Sequence, residues 1–142
     1  MKLLTLFCLF LIISVSVSCK KYTVDKMPEY QIHFGEGGGI TGAITEYCLL
    51  ENGQLFDKKH FTEDFVAYKT VKKKIAKEQF KTCEDINIQS IILNNPGDKY
   101  YYISYETPAQ KHRITWGRNK EEVPQSVEDL YGQLKALVLT KK

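Results

Sequence analysis

Residues 43–56 read AITEYCLLENGQLF, and this stretch decides the fold. Two apolar runs rich in strand-forming residues stand on either side of Asn52-Gly53. An Asn-Gly pair between two such runs is the strongest short-range signal for a β-hairpin. The stretch therefore predicts a strand from Ala43 to Leu50, a tight turn, and a returning strand from Gln54 to Phe61.

Another strand is predicted on the N-terminal side of this hairpin. Tyr30, Ile32 and Phe34 alternate with polar residues, which places all three on one face of a strand over 30–34. A glycine-rich run over 35–42 follows. We expect this run to break the strand, because glycine supplies the positive φ that bends and bulges between strands require.

The middle of the chain predicts a helix. Residues 65–71 favour a strand, with the start of a helix as the alternative. A helix is predicted over 72–85, since its apolar positions recur at near-helical spacing. These positions are Ile75, Ala76, Gln79, Phe80, Cys83 and Ile86. The sequence Asn-Asn-Pro-Gly-Asp over 94–98 predicts a turn.

The last third predicts a second hairpin and a second helix. Strands are predicted over 99–106 and 111–116, with Ile103 and Ile114 as an inward-facing pair. Pro124 then begins a helix, as proline does well in a first helical turn. Its predicted apolar stripe is Val127, Leu130, Tyr131, Leu134, Leu137 and Val138. Gly132 either weakens this helix or allows a close approach by another element.

The order of these elements predicts an α+β domain over 29–142. Strands, a helix, two more strands and a final helix favour an antiparallel sheet of about five to six strands. Both helices are expected to pack on one face of that sheet. The other face would then stay partly open.

The first nineteen residues predict export. Lys2 precedes an apolar run from Leu3 to Ile13, and small residues lead into Cys19. This pattern is typical of a signal peptide over 1–18. Two alternatives stay open. One is a secreted form without lipid, and the other is an uncleaved anchor, although a membrane-spanning helix needs about 20 apolar residues.

The segment Ser16-Val17-Ser18-Cys19 resembles the lipobox of bacterial lipoproteins. The resemblance implies a thioether-linked diacylglycerol on Cys19, a bilayer as the partner of that anchor, and an acylated amino group. Several acyl chains make such an anchor effectively permanent. Lys20 in the next position resembles lipoproteins sent to the outer membrane. Residues 19–28 are expected to form a polar tether between lipid and domain.

Charge gives no sign of nucleic-acid binding. The chain has a formal net charge of +3, and loss of Lys2 with the signal leaves +2. A phosphate-binding domain would concentrate basic residues on one face. The nearest approach is a lysine-rich stretch over 69–81, which is expected to be a solvated helix surface interrupted by Glu78.

Two cysteines remain in the domain, Cys48 and Cys83. An oxidising compartment would allow a disulfide between them. Buried free thiols are the other interpretation, since free cysteine is among the most buried residue types.

No catalytic or metal-binding motif stands out, so the sequence predicts no enzyme, no metal and no cofactor. His33, His60 and His112 lack metal-ligand spacing, and no His-Glu-x-x-His or Gly-x-Ser-x-Gly motif occurs. His33 or His60 could meet Asp57 or Glu46 across strands. Ordinary surface or half-buried histidines are the expected outcome.

Two groups of residues are candidate binding surfaces. The first is the glycine loop, where we expect a positive φ at Gly38 and exposed side chains at Ile40 and Thr41. It is either a structural bend or a contact surface. The candidate binding residues of this loop are Gly37, Gly38, Gly39, Ile40 and Thr41.

The second group is the tyrosine-rich strand over 99–106. Aromatic side chains at this density could anchor a protein or peptide partner. Alternation predicts that half of them fill the core and half face outward. Tyr100 and Tyr102 are the outward candidates.

The sequence also resembles two protein groups. Its FGxGGGITG motif over 34–42 resembles a group of small uncharacterised bacterial lipoproteins. Further segments carry the same likeness, namely Tyr47, LLENG over 49–53, ITWG over 114–117, Val123-Pro124 and Leu130-Tyr131. More weakly, the GGITG turn, the late hairpin and the proline-led helix are similar to emfourin, a protein inhibitor of thermolysin-type metalloproteases.

Three functional hypotheses follow. The first is a membrane-anchored binding module of the cell envelope that carries out no chemistry. The second is an emfourin-like protease inhibitor, which needs a rigid, protruding glycine loop. The third is an enzyme, which would need polar groups converging in a pocket.

Overall fold

A computed structural model of the 142-residue chain describes residues 20–58, 62–118 and 122–140. These residues form a mixed α+β fold with one seven-stranded sheet and two helices. The predicted signal peptide over 1–18, Cys19 and His60 lie outside the described residues. In the three described ranges, no helix is both long and apolar enough to cross a membrane.

The seven strands are numbered in chain order, which differs from their spatial order in the sheet. They are β1 (Gln31–Gly38), β2 (Ala43–Leu50), β3 (Gln54–Lys58), β4 (Val66–Thr70), β5 (Asn94–Asn95), β6 (Lys99–Glu106) and β7 (Lys111–Trp116). The helices are α1 (Lys73–Asp85) and α2 (Gln125–Leu139), and a 3-10 turn lies at Ile88–Ser90. The spatial order is β4-β3-β2-β1-β6-β7-β5. All neighbours are antiparallel except β5 and β7, which are parallel.

The hairpin of β2 and β3 confirms the prediction made from residues 43–56. Gly53 N–H donates to the Leu50 carbonyl oxygen at 2.9 Å and has a φ of +93°. Glycine tolerates this φ without strain, so the Asn-Gly pair turns the chain back on itself. The described part of the returning strand ends at Lys58, and the rest of its predicted range lies outside the described residues.

The glycine run does not break β1 where we expected, because the strand continues through Gly38. Gly35 and Gly37 pair with β2 on one side and β6 on the other. A Cβ on Gly35 would overlap the Thr45 carbonyl oxygen, and one on Gly37 would lie 2.5 Å from the Tyr100 hydroxyl oxygen. The two glycines therefore allow close packing within the sheet, and the break is confined to 39–42.

The sheet has one strand more than the predicted five to six. Asn94–Asn95, predicted as part of a turn, pairs in parallel with Thr115 and Trp116. Two asparagines before a proline carry no strand signal, so this pairing is set by β7 and not by local propensity. At 65–71 the strand alternative is correct, since β4 covers Val66–Thr70 and α1 begins at Lys73.

The main core lies between one face of the sheet and the two helices. Ile103 and Ile114 stand opposite each other in the β6–β7 register, and both are fully buried as predicted. The stripe of α2 is confirmed, with Tyr131 and Leu137 partly buried at its border. Its buried members are Val127, Leu130, Leu134 and Val138. Gly132 faces open space and not another element.

The face of the sheet away from the helices is called the outer face here, and it carries a smaller apolar cluster. This cluster contains Cys48, Leu50 and Phe56, with Tyr22 and Met27 packed against it. The expected tether over 19–28 is therefore held against the sheet in its described part, residues 20–28. The prediction of a free tether is wrong for these residues, because Tyr22 and Met27 bury apolar surface against the outer face of the sheet.

The two domain cysteines are free and buried, as in the second interpretation. Cys48 lies in the outer-face cluster and Cys83 in the core under the helices. Burial, followed by the charge of Glu84, raises the pKa of Cys83 to about 12. Burial also raises the pKa of Cys48. Both thiols therefore stay protonated and unreactive at neutral pH.

Candidate functional site

The turn between β1 and β2, residues 39–42, is called the tip. Gly39 N–H donates to the Asp98 carbonyl oxygen at 2.7 Å, and Gly42 N–H donates to the Gly39 carbonyl oxygen at 3.1 Å. The first bond ties the tip to the chain that enters β6, and the second closes the turn itself. The tip is therefore braced from inside and from the neighbouring strand.

Gly38 forms the base of the tip and has a structural role. Its φ is +89°, as expected from the sequence, and a Cβ at this position would overlap the Asp98 carbonyl oxygen. The side chain of Ile40 has the opposite environment, since its relative exposure is 108%. Thr41 is exposed as well. The tip thus presents a fully solvated apolar side chain on a braced turn.

The predicted tyrosines lie on the outer face but differ in access. Tyr100 pairs with Gly37, is half-buried, and stands at the base of the tip. Tyr102 is two residues further along β6, is buried, and lies under the Arg113 guanidinium, 3.7 Å from the ring centroid. Of the two, Tyr100 can contribute to a contact surface with the tip, while Tyr102 supports the sheet.

A polar cluster lies around His33 at the middle of the outer face. His33 Nδ1 is 3.0 Å from Glu46 Oε1, and His33 Nε2 is 2.9 Å from Gln31 Oε1. Nε2 also lies 3.5 Å from Glu106 Oε1, and Glu106 forms a second ion pair with Lys111. The nearly buried imidazole is therefore held between two carboxylates and an amide oxygen.

The electrostatics of this cluster favour internal pairing. Both nitrogens of His33 lie within hydrogen-bond distance of side-chain oxygen atoms. Burial alone would raise the pKa of Glu46, but the hydrogen bond and charge of His33, together with Lys58, outweigh burial and lower it. Burial and the nearby Glu46 charge raise the pKa of Tyr102. Groups from the four strands β1, β2, β3 and β6 therefore compensate one another electrostatically within this cluster.

The same geometry disfavours a nucleophilic site. Ser104 lies opposite His33 in the β1–β6 register, and its buried Oγ makes no hydrogen bond within the described residues. His33 could activate this serine only through a ring nitrogen that is free to accept its proton. Here both nitrogens are engaged by Glu46 and Gln31. In residues 20–58, 62–118 and 122–140, no group of three or more His, Cys, Asp or Glu side chains could hold a metal ion.

Sequence reasoning considered a contact of His33 with Glu46 but missed the rest of the cluster. The pairing of β1 with β2 indicates this contact, because its register places His33 and Glu46 on the same face of the sheet, two positions apart. No local pattern points to Glu106 or Arg113. Their positions depend on β6 pairing with a strand far away in sequence.

The lowered pKa of Glu46 predicts that the domain loses stability at acidic pH. A carboxyl whose folded pKa lies below its unfolded value stabilises the fold above the unfolded value, and this stabilisation is lost as pH falls through the folded pKa. The free energy of unfolding should therefore decrease as pH falls below 4.5, the ordinary value for this group. Glu46→Gln should flatten that decrease in urea titrations at a series of pH values. Exposed Glu29→Gln serves as control, and equal slopes for Glu46→Gln and wild type would contradict the assigned pairing.

No family model matches the chain, and no curated protein matches it. The resemblances to small lipoproteins and to emfourin therefore stay predictions.

Proposed function

We propose that this protein is an envelope lipoprotein, anchored in a bilayer by lipid on Cys19, whose domain binds a protein partner through the tip. The domain acts as a binding module and performs no chemistry. The observation that carries the proposal is Ile40, fully exposed on a turn that is held by one backbone bond to the chain entering β6 and one within the turn. The proposed location is the outer membrane, because Lys20 after Cys19 resembles the residue found in lipoproteins that are sent there.

The tip has the physical properties of a contact element. Two backbone hydrogen bonds and the positive φ of Gly38 fix its conformation before any partner arrives. Such preorganisation lowers the entropy cost of binding, which otherwise reduces affinity. Tyr100 at the base of the tip adds an aromatic surface that can extend the contact.

Burial of one isoleucine sets the expected size of the effect. Moving a fully exposed side chain of this size out of water contributes about 1.5–3 kcal/mol. Ile40 is not buried within the domain, so its burial at an interface would contribute this free energy to binding. A difference of about 1.4 kcal/mol corresponds to a factor of ten in affinity.

Ile40→Ser should separate binding from stability. We expect partner capture from solubilised envelopes to fall by about tenfold or more, because the apolar contact is lost. The melting temperature should stay close to wild type, since exposed substitutions usually change stability by less than about 0.5 kcal/mol. Quantitative pull-down with mass spectrometry and thermal melts measure the two effects.

Ile92→Ser is the matched control, because Ile92 is also almost fully exposed and lies outside the tip. It should leave capture unchanged. Undiminished capture by Ile40→Ser would remove the tip from the binding site. A large loss of stability in Ile40→Ser would show instead that the side chain has a structural role.

A second candidate function is inhibition of a thermolysin-type metalloprotease. The braced tip with its exposed Ile40 favours it, because a preorganised loop is what the emfourin-like hypothesis requires. Mature protein added to such a protease at increasing ratios should then slow peptide hydrolysis, and Ile40→Ser should weaken the inhibition. Full protease activity at excess mature protein would exclude this candidate and leave the binding module in place.

A further inference from the structure

The described chain begins on the surface of the domain, beside the turn between β2 and β3. Asn52 Nδ2 donates to the Lys20 carbonyl oxygen at 2.8 Å. Gln54 holds Tyr22 from both sides, since its Oε1 accepts from Tyr22 N–H at 2.6 Å and its Nε2 donates to the Tyr22 carbonyl oxygen at 2.9 Å. Lys20 is therefore fixed to the domain, with no free tether after it.

A basic groove lies at this entry point. Its cavity volume is about 280 Å³. The groove is lined by three lysines, two tyrosines and one acid, namely Lys20, Lys73, Lys77, Tyr22, Tyr30 and Glu51. The first turn of α1 carries no acidic residue that would neutralise the lysines. The charge of the groove is thus positive, and the Lys20 ammonium group lies 5.2 Å from the centre of the Tyr22 ring.

We infer that this groove binds the phosphate headgroup of an anionic phospholipid in the bilayer that holds the anchor. The inference rests on the proposed lipidation of Cys19. Consecutive Cα atoms are about 3.8 Å apart, so acyl chains on Cys19 enter the bilayer next to Lys20. The headgroup layer then meets the groove directly. Lysine ammonium groups donate to phosphate, and tyrosine rings prefer the membrane–water interface.

Electrostatics gives this contact its expected strength. Each lysine near an anionic leaflet increases the partitioning of a protein onto that membrane by about fivefold. The attraction falls off within a Debye length of about 8 Å at physiological salt. Lys73 and Lys77 line the same groove as Lys20, the residue next to the proposed anchor, so these are the lysines that we expect to feel the attraction.

The contact also orients the binding tip. Gln31 at the start of β1 pairs with Leu50 beside the groove, and Gly38 at its end pairs with Ala43 beside the tip. The eight residues of β1 rise about 3.3 Å each, so groove and tip are roughly 25 Å apart. With the groove on the headgroups, Ile40 is directed away from the membrane and into the space where a partner can reach it.

Lysine labelling of the lipidated protein tests the inference. Mature protein is reconstituted in vesicles of phosphatidylcholine and phosphatidylglycerol at about 3:1, in vesicles of phosphatidylcholine alone, and in detergent micelles. Acetylation of each lysine is then followed by mass spectrometry. In the anionic vesicles, Lys20, Lys73 and Lys77 should each react about fivefold more slowly than in the other two samples. At about 1 M salt, where the Debye length is about 3 Å, the protection should disappear.

A variant pair supplies the control. Lys73→Gln combined with Lys77→Gln should abolish the slower labelling of Lys20 in anionic vesicles. Lys99→Gln should leave it intact, because Lys99 pairs with Gly38 at the tip end of the sheet. Both variants change exposed residues, and thermal melts confirm that each remains folded.

The remaining outcomes separate this inference from the proposed function. The mass of the N-terminal peptide from the same sample reports whether Cys19 carries lipid, and its absence would overturn both proposals. Lipidated protein with equal labelling of Lys73 and Lys77 in all three samples would overturn the groove and leave the anchor standing. Equal protection by inorganic phosphate in micelles would assign the groove to a soluble anion and overturn its role as a phospholipid site.

Discussion

Gly35→Ala should lower the free energy of unfolding by about 3 kcal/mol, near the upper end of the usual effect of overpacking a well-packed interior. Gly35 is buried in the central strand, where a Cβ would overlap the Thr45 carbonyl oxygen and lie 3.0 Å from the Tyr102 hydroxyl oxygen. Backbone on a paired strand cannot move aside without breaking hydrogen bonds. Urea titration of the purified domain measures the change.

Gly132→Ala is the matched control, with the same substitution and the opposite expected sign. Gly132 is exposed on α2, and a Cβ there meets nothing within 4 Å. Alanine favours a helix over glycine by about 1 kcal/mol, so this variant should be more stable than wild type. A Gly35→Ala variant as stable as Gly132→Ala would show that the centre of the sheet is loosely packed.

Leu134→Ala should destabilise the domain by about 2–5 kcal/mol, because it removes most of a large side chain from the core and leaves a cavity. Leu134 is fully buried and belongs to the cluster that joins α2 to the sheet. The loss should appear as a lower midpoint in a denaturant titration with an unchanged slope.

Gln133→Ala is the control for this prediction, one position away on the exposed side of α2. It should change stability by less than about 0.5 kcal/mol. Lys135 is less suitable, because it is half-buried and its Nζ lies 3.8 Å from Glu36 Oε1. Comparable losses in Leu134→Ala and Gln133→Ala would contradict the observed face of the helix.

Local patterns predicted most of the fold, because the elements concerned carry their own signals. The hairpin of β2 and β3 depends on an Asn-Gly pair within a short stretch, and the stripe of α2 depends on spacing within one helix. β5 was missed because only its neighbour β7 makes it a strand. A two-residue pairing of this kind leaves no pattern in the sequence.

The glycines show where sequence reasoning reaches its limit at the candidate site. The positive φ of Gly38 and the exposure of Ile40 follow from a turn, which is a local property. Gly35 and Gly37 serve another purpose, since Gly37 makes room for Tyr100 of β6, and Gly35 makes room for the Thr45 carbonyl oxygen of β2 and the Tyr102 hydroxyl group of β6. The reason for a glycine there lies in a distant strand, and a single sequence does not show which strand that is.

The central position of β1 has a consequence for the order in which the protein folds. β1 is among the first parts of the domain in sequence, yet it stands between β2 and β6, and Gln31 pairs with Glu106. The middle of the sheet therefore cannot close until most of the chain is available. Sheets dominated by such distant pairings fold slowly, in milliseconds to seconds. A chain with this topology therefore stays without its central β1–β6 pairing until Lys99–Glu106 has become available, and it completes the sheet last at its middle.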